Sequence, residues 1–192
     1  EKTIAEQGKM TDDLQAKINA AITISQLEDL YLPYKQKRKT KAVVARENGL
    51  QPLADLLLAQ KDIDIEKEAA VFINEKVLTA DAALQGARDI IAETVNEDIA
   101  VREKLRKFFE REATLKSTVI TEKEAEAIKY KDYFAFSERI ATIPSHRTLA
   151  ILRGFLEGFL RISIEPQEEI ALEIIEDIYI NGMSNCSEQI RK

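Results

Sequence analysis

The stretch that decides the fold class is TKAVVARENGLQPLADLLL, residues 40–58. Thr40 is a residue type that caps helix N-termini, and Gly49 can close the helix that follows because glycine adopts the left-handed conformation without strain. Pro52 is favoured in the first turn of the next helix, where its missing N–H has no intrahelical partner to lose. The stretch therefore predicts two short helices joined at a glycine, a helix-turn-helix-like element.

The composition of the whole chain favours the same class of structure. Its 192 residues are 45% hydrophobic and 32% charged, with only 6 glycines and 4 prolines. Such a composition is typical of a helix-rich globular protein and excludes a disordered or collagen-like chain. We expect a mainly α protein, a multi-helix bundle that carries the helix-turn-helix-like element.

Helix and strand signals continue on both sides of this stretch. Two capping-box patterns, Ser25–Glu28 and Thr121–Glu124, predict helix starts. Downstream, the pattern predicts a helix over 66–77 and a longer helical region over 81–112 that breaks near Asn96. A final helix is expected to follow Pro166.

Two segments in the second half of the chain predict strands. Residues 114–121 are rich in β-branched side chains, and residues 158–164 alternate in polarity, which predicts a small two-stranded β element. Between them, Ser145 is expected to cap a helix that Gly154 ends. We divide the chain into a helical region, 1–113, and a mixed helix and strand module, 114–192.

The cysteine content and the hydropathy limit the kinds of structural site and the cellular compartment that we expect. The single cysteine, Cys186, cannot form an internal disulfide or complete a zinc site of about four ligands. No apolar run approaches the roughly 20 residues that cross a bilayer, so we expect a cytoplasmic protein without a membrane partner. The chain starts at Glu1 without a methionine, and we expect it to be part of a longer protein.

The charge distribution singles out one segment. The net charge is −6, which by itself argues against a nucleic-acid partner. Residues 35–46, the basic segment, nevertheless hold six cations and no acid, which leaves 22 of the 28 Lys and Arg residues against 34 acids elsewhere. Clustered cations neutralise phosphates, and tyrosine rings can stack on unpaired bases. The candidate nucleic-acid-binding residues are Tyr34, Lys35, Lys37, Arg38, Lys39, Lys41 and Arg46. In the alternative interpretation, Tyr31 and Tyr34 pack in the core and the cations form a solvated loop or pair with acids elsewhere in the chain.

Residues that could carry catalysis are sparse. The only histidine, His146, follows Ser145 directly, and adjacent side chains diverge too far to form a catalytic pair without a third orienting group. The glycine-rich phosphate loops and the metal-ligand spacings are both missing from the sequence. We predict that the chain is not an enzyme and needs no cofactor.

Several ordered blocks resemble one known family. LEDLYLPYK over 27–35, GARDIIAE over 86–93 and PSHR over 144–147 are similar to the signature of the Tex family of bacterial transcription accessory proteins, and the similarity spans nearly the whole chain. Phe155 and Leu156 depart from the charged or polar residues expected at that place.

The resemblance implies an elongated, mainly helical protein with an RNase-H-like domain that is not catalytic, helix-hairpin-helix elements and a C-terminal S1 RNA-binding domain. This chain resembles only the N-terminal helical region, so the resemblance implies weak binding of RNA or DNA here and contacts with transcription proteins. A protein-interaction scaffold without direct nucleic-acid contact is the alternative. A hydrolase would require His146 to meet a carboxylate and a nucleophile in a pocket.

Overall fold

A computed structural model describes residues 2–35 and 39–192 of the chain. Residue contacts divide it into two compact units, one formed by Glu1–Arg102 with Ile175–Lys192 and the other by Glu103–Ile174. The sequence-based division at residue 113 stays a prediction, and the two units are described separately.

Helices make up most of the described residues, so the expected mainly α class is confirmed. The α-helices are α1 Lys2–Glu6, α2 Asp12–Ala20, α3 Ile24–Tyr31, α4 Lys41–Glu47, α5 Gln51–Leu58, α6 Ile65–Ala70, α7 Ala80–Glu97, α8 Ile99–Glu112, α9 Ser145–Leu156, α10 Glu168–Tyr179 and α11 Asn185–Arg191. Short 3₁₀ turns cover Leu32–Tyr34, Thr121–Lys123 and Ile128–Tyr133. The strands are β1 Thr114–Val119, β2 Ala135–Arg139 and β3 Leu160–Glu165.

The glycine junction between α4 and α5 forms as the sequence predicts. Thr40 caps α4, because its Oγ1 accepts a hydrogen bond from the Val43 N–H at 3.1 Å. Gly49 has φ +81, and Pro52 stands in the first turn of α5. The two helices are confirmed, whereas their use as a DNA-recognition motif stays a prediction.

The core of the first unit lies between α4, α5, α6, α7 and α11. Leu53, Leu57 and Ile90 are fully buried in it, as is Cys186 from the far end of the chain. Gly86 lets α4 and the glycine junction pack closely against α7, because a Cβ at Gly86 would lie 2.3 Å from Leu50 Cδ1 and 3.3 Å from Ala45 Cβ.

The second unit contains a three-stranded antiparallel sheet of order β2-β1-β3, so the expected two-stranded element is wrong by one strand. Leu115 pairs with Ile164 in β3 and with Glu138 in β2. The missing strand has the sequence AFSER, which lacks the β-branched residues that signal strands. It forms because β1 offers it an unpaired edge.

Several predicted helices differ in the structure, and the helix expected over 66–77 is shorter, spanning only Ile65–Ala70. The capping box of α3 is Thr23 with Gln26 instead of Ser25 with Glu28, and Thr121 begins a 3₁₀ turn without a side-chain cap. The break between α7 and α8 is confirmed, but Asp98 caps α8, accepting from the Ala100 N–H at 2.7 Å.

The start and end of α9 also differ from the prediction. Ser145 is its first residue and Pro144 takes the cap position, while Gly154 lies buried inside the helix. A Cβ at Gly154 would lie 2.6 Å from Leu160 Cδ1, so this glycine serves the packing of α9 on β3. Gly158, at φ +73, turns the chain after the helix.

Within the described residues, no helix is long and apolar enough to cross a bilayer.

Candidate nucleic-acid interface

The basic segment begins beside α3 and runs into α4. Asp29 of α3 is 1% exposed, and its Oδ1 accepts a hydrogen bond from Arg102 Nε at 2.5 Å. Tyr34 ends the following 3₁₀ turn, where its carbonyl accepts from Gln7 Nε2 at 2.9 Å. Its side chain is half-buried. These contacts fix the entry to the basic segment on the first unit.

One carboxylate holds α4 at both ends. Glu93 of α7 accepts a hydrogen bond from Thr40 Oγ1 at 3.0 Å and forms an ion pair with Arg46 Nη1. Arg46 Nε also donates to Gln51 Oε1 at 3.0 Å. The side chain of Glu93 is only 11% exposed, so its charge is largely withdrawn from water and directed at α4. Arg46 therefore positions α4 in this structure.

The lysines of the basic segment that the structure describes face water. Lys35, Lys39 and Lys41 are exposed, and Lys39 Nζ lies 3.8 Å from Glu47 Oε2 in a pair whose side chains are 73% and 58% exposed. Pairs as exposed as this one contribute little, so Lys39 keeps its positive field. Lys37 and Arg38 lie outside the described residues.

A groove of about 410 Å³ opens beside these lysines, between α4 and α7. Its floor is apolar and its rim is polar. Its rim carries Lys39, Thr40, Lys41, Asn48, Lys76, Ala82, Gln85 and Asp89, and its floor carries Val44, Ala45, Leu50, Val77 and Gly86. Asp89 is the one acid among the described lining residues, and its Oδ1 accepts from Gln85 Nε2 at 3.1 Å.

Lys76 reaches this groove from the loop between α6 and α7. Asn74 organises the loop, because its Oδ1 accepts from the Lys76 N–H at 2.8 Å while its Nδ2 donates to the Asn48 carbonyl at 3.5 Å. Val77 is 3% exposed and anchors the loop in the core. The sequence analysis missed Lys76, since 35 positions separate it from Lys41 and only the fold brings the two to one groove.

The second unit exposes apolar side chains along α9. Leu149, Leu152, Phe155 and Leu156 are 65%, 39%, 46% and 81% exposed, and their spacing of three and four residues puts them on one helix face. Arg153 is exposed among them. We call these four residues the α9 apolar face.

Charged and aromatic side chains cluster beyond the end of α9. Lys129 Nζ lies 2.6 Å from Glu157 Oε2 and 5.0 Å from the centre of the Tyr130 ring. The hydrogen bond between them raises the pKa of Lys129 and lowers that of Glu157. The cluster ties the 3₁₀ turn before β2 to the end of α9.

The surroundings of the single histidine bear on the hydrolase alternative. His146 is exposed in the first turn of α9 and lines neither the groove between α4 and α7 nor a second, apolar groove of about 460 Å³ that Ile4, Leu27 and Tyr31 help to form. Among the described residues, no group of three His, Cys, Asp or Glu side chains could hold a metal ion. That the chain is not an enzyme stays a prediction.

Comparisons with known proteins match most of the chain. A family model described as Tex central region-like matches residues 60–191. The chain is 49% identical over 168 residues to the Transcriptional accessory protein Tex of Neisseria gonorrhoeae, a match that covers 88% of this chain and 22% of that protein. It is 45% identical over 186 residues to Protein YhgF of Escherichia coli (strain K12), covering 92% and 24%. It is 40% identical over 174 residues to Protein tex of Bordetella pertussis, covering 90% and 22%. The chain thus spans about a quarter of the length of the curated relatives it matches.

Proposed function

Since the chain belongs to the Tex family of transcription accessory proteins, we propose that it serves as a non-catalytic scaffold that contacts RNA or DNA phosphates through its basic segment. The name of one relative, Transcriptional accessory protein Tex, supports a role beside a nucleic acid. The contact is auxiliary and weak, and it operates in the cytoplasm among transcription proteins.

The observation that carries this proposal is the exposure of Lys35, Lys39 and Lys41 on a fixed support. Thr40 and Arg46 bind Glu93 on α7, so α4, which carries Lys41 and begins two residues after Lys39, is held in place before a ligand arrives. A preorganised cluster spends less free energy on ordering when it binds. Lysines with little local acid also raise the local concentration of polyanions.

Binding of a fluorescently labelled single-stranded RNA, measured by anisotropy over a salt series, tests the proposal. We expect the variant Lys39→Glu/Lys41→Glu to bind about 30-fold more weakly at low salt, because two contacts of about 1 kcal/mol each are lost. The slope of log affinity against log salt should fall by about 1.4, the contribution of two phosphates on a single strand.

Lys61→Glu/Lys67→Glu is the matched control, since it changes the net charge equally at two exposed lysines of the first unit that do not line the groove. Equal losses in both variants would mean that only net charge matters and would refute a local site. Unchanged affinity in Lys39→Glu/Lys41→Glu would refute the role of the basic segment.

A second candidate function rests on the α9 apolar face. Contiguous exposed apolar side chains with charge at their rim indicate a protein contact, and three quarters of each relative lies outside the matched region. We propose that this remaining part of a full-length Tex protein packs against the α9 apolar face. A tethered partner acts at an effective concentration in the millimolar range, so even a small apolar contact would be occupied.

Hydrogen exchange tests this second function. Amides of α9 should exchange more slowly in a full-length relative than in the 192-residue chain, and Leu152→Glu/Leu156→Glu should remove the difference without unfolding the second unit. Equal exchange in the two lengths of protein would refute it.

A further inference from the structure

We infer that the groove between α4 and α7 binds a single unpaired nucleic-acid strand. Lys39 and Lys41 bind one phosphate of the strand, and Lys76 binds another. This inference rests on the proposed function and adds to it a ligand class, a path and a residue from outside the basic segment.

The two groups of lysines lie at opposite ends of α4. Lys41 is its first residue, and Lys76 belongs to the loop that Asn74 joins to the Asn48 carbonyl just after its last residue. Seven residues at about 1.5 Å each separate these ends by roughly 10 Å. Lysines at both ends of α4 can therefore contact successive phosphates of a strand that runs along the groove.

The size and lining of the groove favour an unpaired strand over a duplex. A volume of about 410 Å³ lies at the small end of the range of about 300–1,000 Å³ for small-ligand sites, and it is far too small for a double helix. The floor is aliphatic, with Val44 and Val77 among its residues. Sugar and base faces that pairing would hide can lie on such a floor.

The charges along the groove favour a polyanion as well. Lys41 and Lys76 are exposed, and neither forms an ion pair with another described residue that would compete with a phosphate. Asp89 opposes them as the one acid among the described lining residues. Removing the negative charge of Asp89 should therefore strengthen binding. A variant that merely unfolds would bind more weakly, so this result would distinguish the two.

Anisotropy with a labelled single-stranded oligonucleotide, performed on the whole 192-residue chain, tests these contacts. We expect Lys76→Glu to weaken binding at least about fivefold, and Asp89→Asn to tighten it about threefold. The matched controls are Lys61→Glu and Glu66→Gln, at exposed positions of the first unit outside the groove, and both should bind as the parent chain does.

The outcomes separate this inference from the proposal beneath it. If Lys76→Glu matches Lys61→Glu while Lys39→Glu/Lys41→Glu still binds weakly, the strand path is wrong and the basic segment remains the contact. If neither variant weakens binding, both are wrong. A duplex that binds as tightly as the single strand, or a mononucleotide that competes as well as a tetranucleotide, would overturn the assignment of an extended unpaired strand.

Discussion

Two leucines in short helices, one in each unit, lie in opposite environments. Leu53 of α5 is 0% exposed and Leu149 of α9 is 65% exposed. Leu53 lies in the core beneath α4 and α7, whose groove carries lysines at its rim, whereas Leu149 belongs to the α9 apolar face of the second unit. These two regions have different surface chemistry, which suits a polyanion at the groove and an apolar protein surface at α9. Nucleic-acid contact and protein docking can therefore be tested one unit at a time.

The same substitution in the two leucines should give the largest contrast. Leu53→Ala removes a fully buried side chain from the core of the first unit, and we expect the free energy of unfolding to fall by about 2–5 kcal/mol because a cavity remains. Leu149→Ala should change it by less than about 0.5 kcal/mol, since that side chain already contacts water.

Urea denaturation followed by circular dichroism measures both effects. A loss of about 2 kcal/mol or more for Leu149→Ala in the 192-residue chain would show that the α9 apolar face is covered within this chain, and the docking surface would have to be abandoned.

The pair of Glu93 and Arg46 should give the next largest effect. Glu93→Ala removes the ion pair and the hydrogen bond from Thr40 at a side chain that is 11% exposed, so we expect a loss of about 1.5–3 kcal/mol. Glu176→Ala is the matched control, because the pair of Glu176 with Arg191 is 42% and 39% exposed and should contribute at most about 1 kcal/mol. Equal losses in urea denaturation would contradict the anchoring role of Glu93.

Features that depend on neighbouring residues were predictable from the sequence. The cap at Thr40, the left-handed turn at Gly49 and the helix start near Pro52 each follow from the backbone preference of one residue. The mainly α class followed from the same kind of signal repeated along the chain, and so did strands β1 and β3. Helix ends were predicted less well. Two capping residues compete at the start of α3, where Thr23 caps instead of Ser25, and the helix predicted over 66–77 already ends at Ala70.

Features that depend on distant residues were not predictable. Strand β2 forms because β1 pairs with it, although its own residues give no strand signal. The sequence placed Arg46 among the phosphate contacts, whereas the fold sets Glu93 against it from 47 positions away. Lys76 joined the candidate site only through the loop that Asn74 shapes. The roles of Tyr34, Lys35, Lys37, Arg38, Lys39 and Lys41 stay predictions for binding experiments.

The reactivity of Cys186 reports how often α11 detaches from the core of the first unit. Cys186 is fully buried, and burial raises the pKa of its thiol, so reaction with a thiol reagent requires α11 to open. Gln60 holds that end of the chain, donating to the Tyr179 carbonyl at 2.5 Å and accepting from the Asn181 N–H at 2.9 Å. We expect Gln60→Ala to speed the modification about tenfold, because lost hydrogen bonds lower the free energy of local opening. Gln15→Ala, at a half-buried position of α2, should leave the rate unchanged.

The smallest expected effects are in pH dependence, and they differ in sign between the units. In the second unit, the Lys116 ammonium and the Ser163 hydroxyl lower the pKa of Glu165. A carboxylate whose pKa is lower in the folded chain than in the unfolded chain stabilises the folded state at pH values above the unfolded pKa. That stabilisation is lost as the pH falls through the folded pKa. In the first unit, burial and the hydrogen bond to Asp98 raise the pKa of Tyr179. The stabilisation that Tyr179 contributes is therefore complete at pH values below its pKa in the unfolded chain, and it is lost as the pH rises.

Glu165→Gln should therefore flatten the loss of stability of the second unit on the acid side, below about pH 4, and Tyr179→Phe should flatten the loss of the first unit on the alkaline side, above about pH 10. Urea midpoints measured from pH 3 to pH 11 check both variants. Because Glu165 is well exposed, water screens its ion pair with Lys116, and the acid-side change should be the smaller of the two. An acid-side change produced by Tyr179→Phe, or an alkaline-side change produced by Glu165→Gln, would contradict the assignment of each titration to its unit.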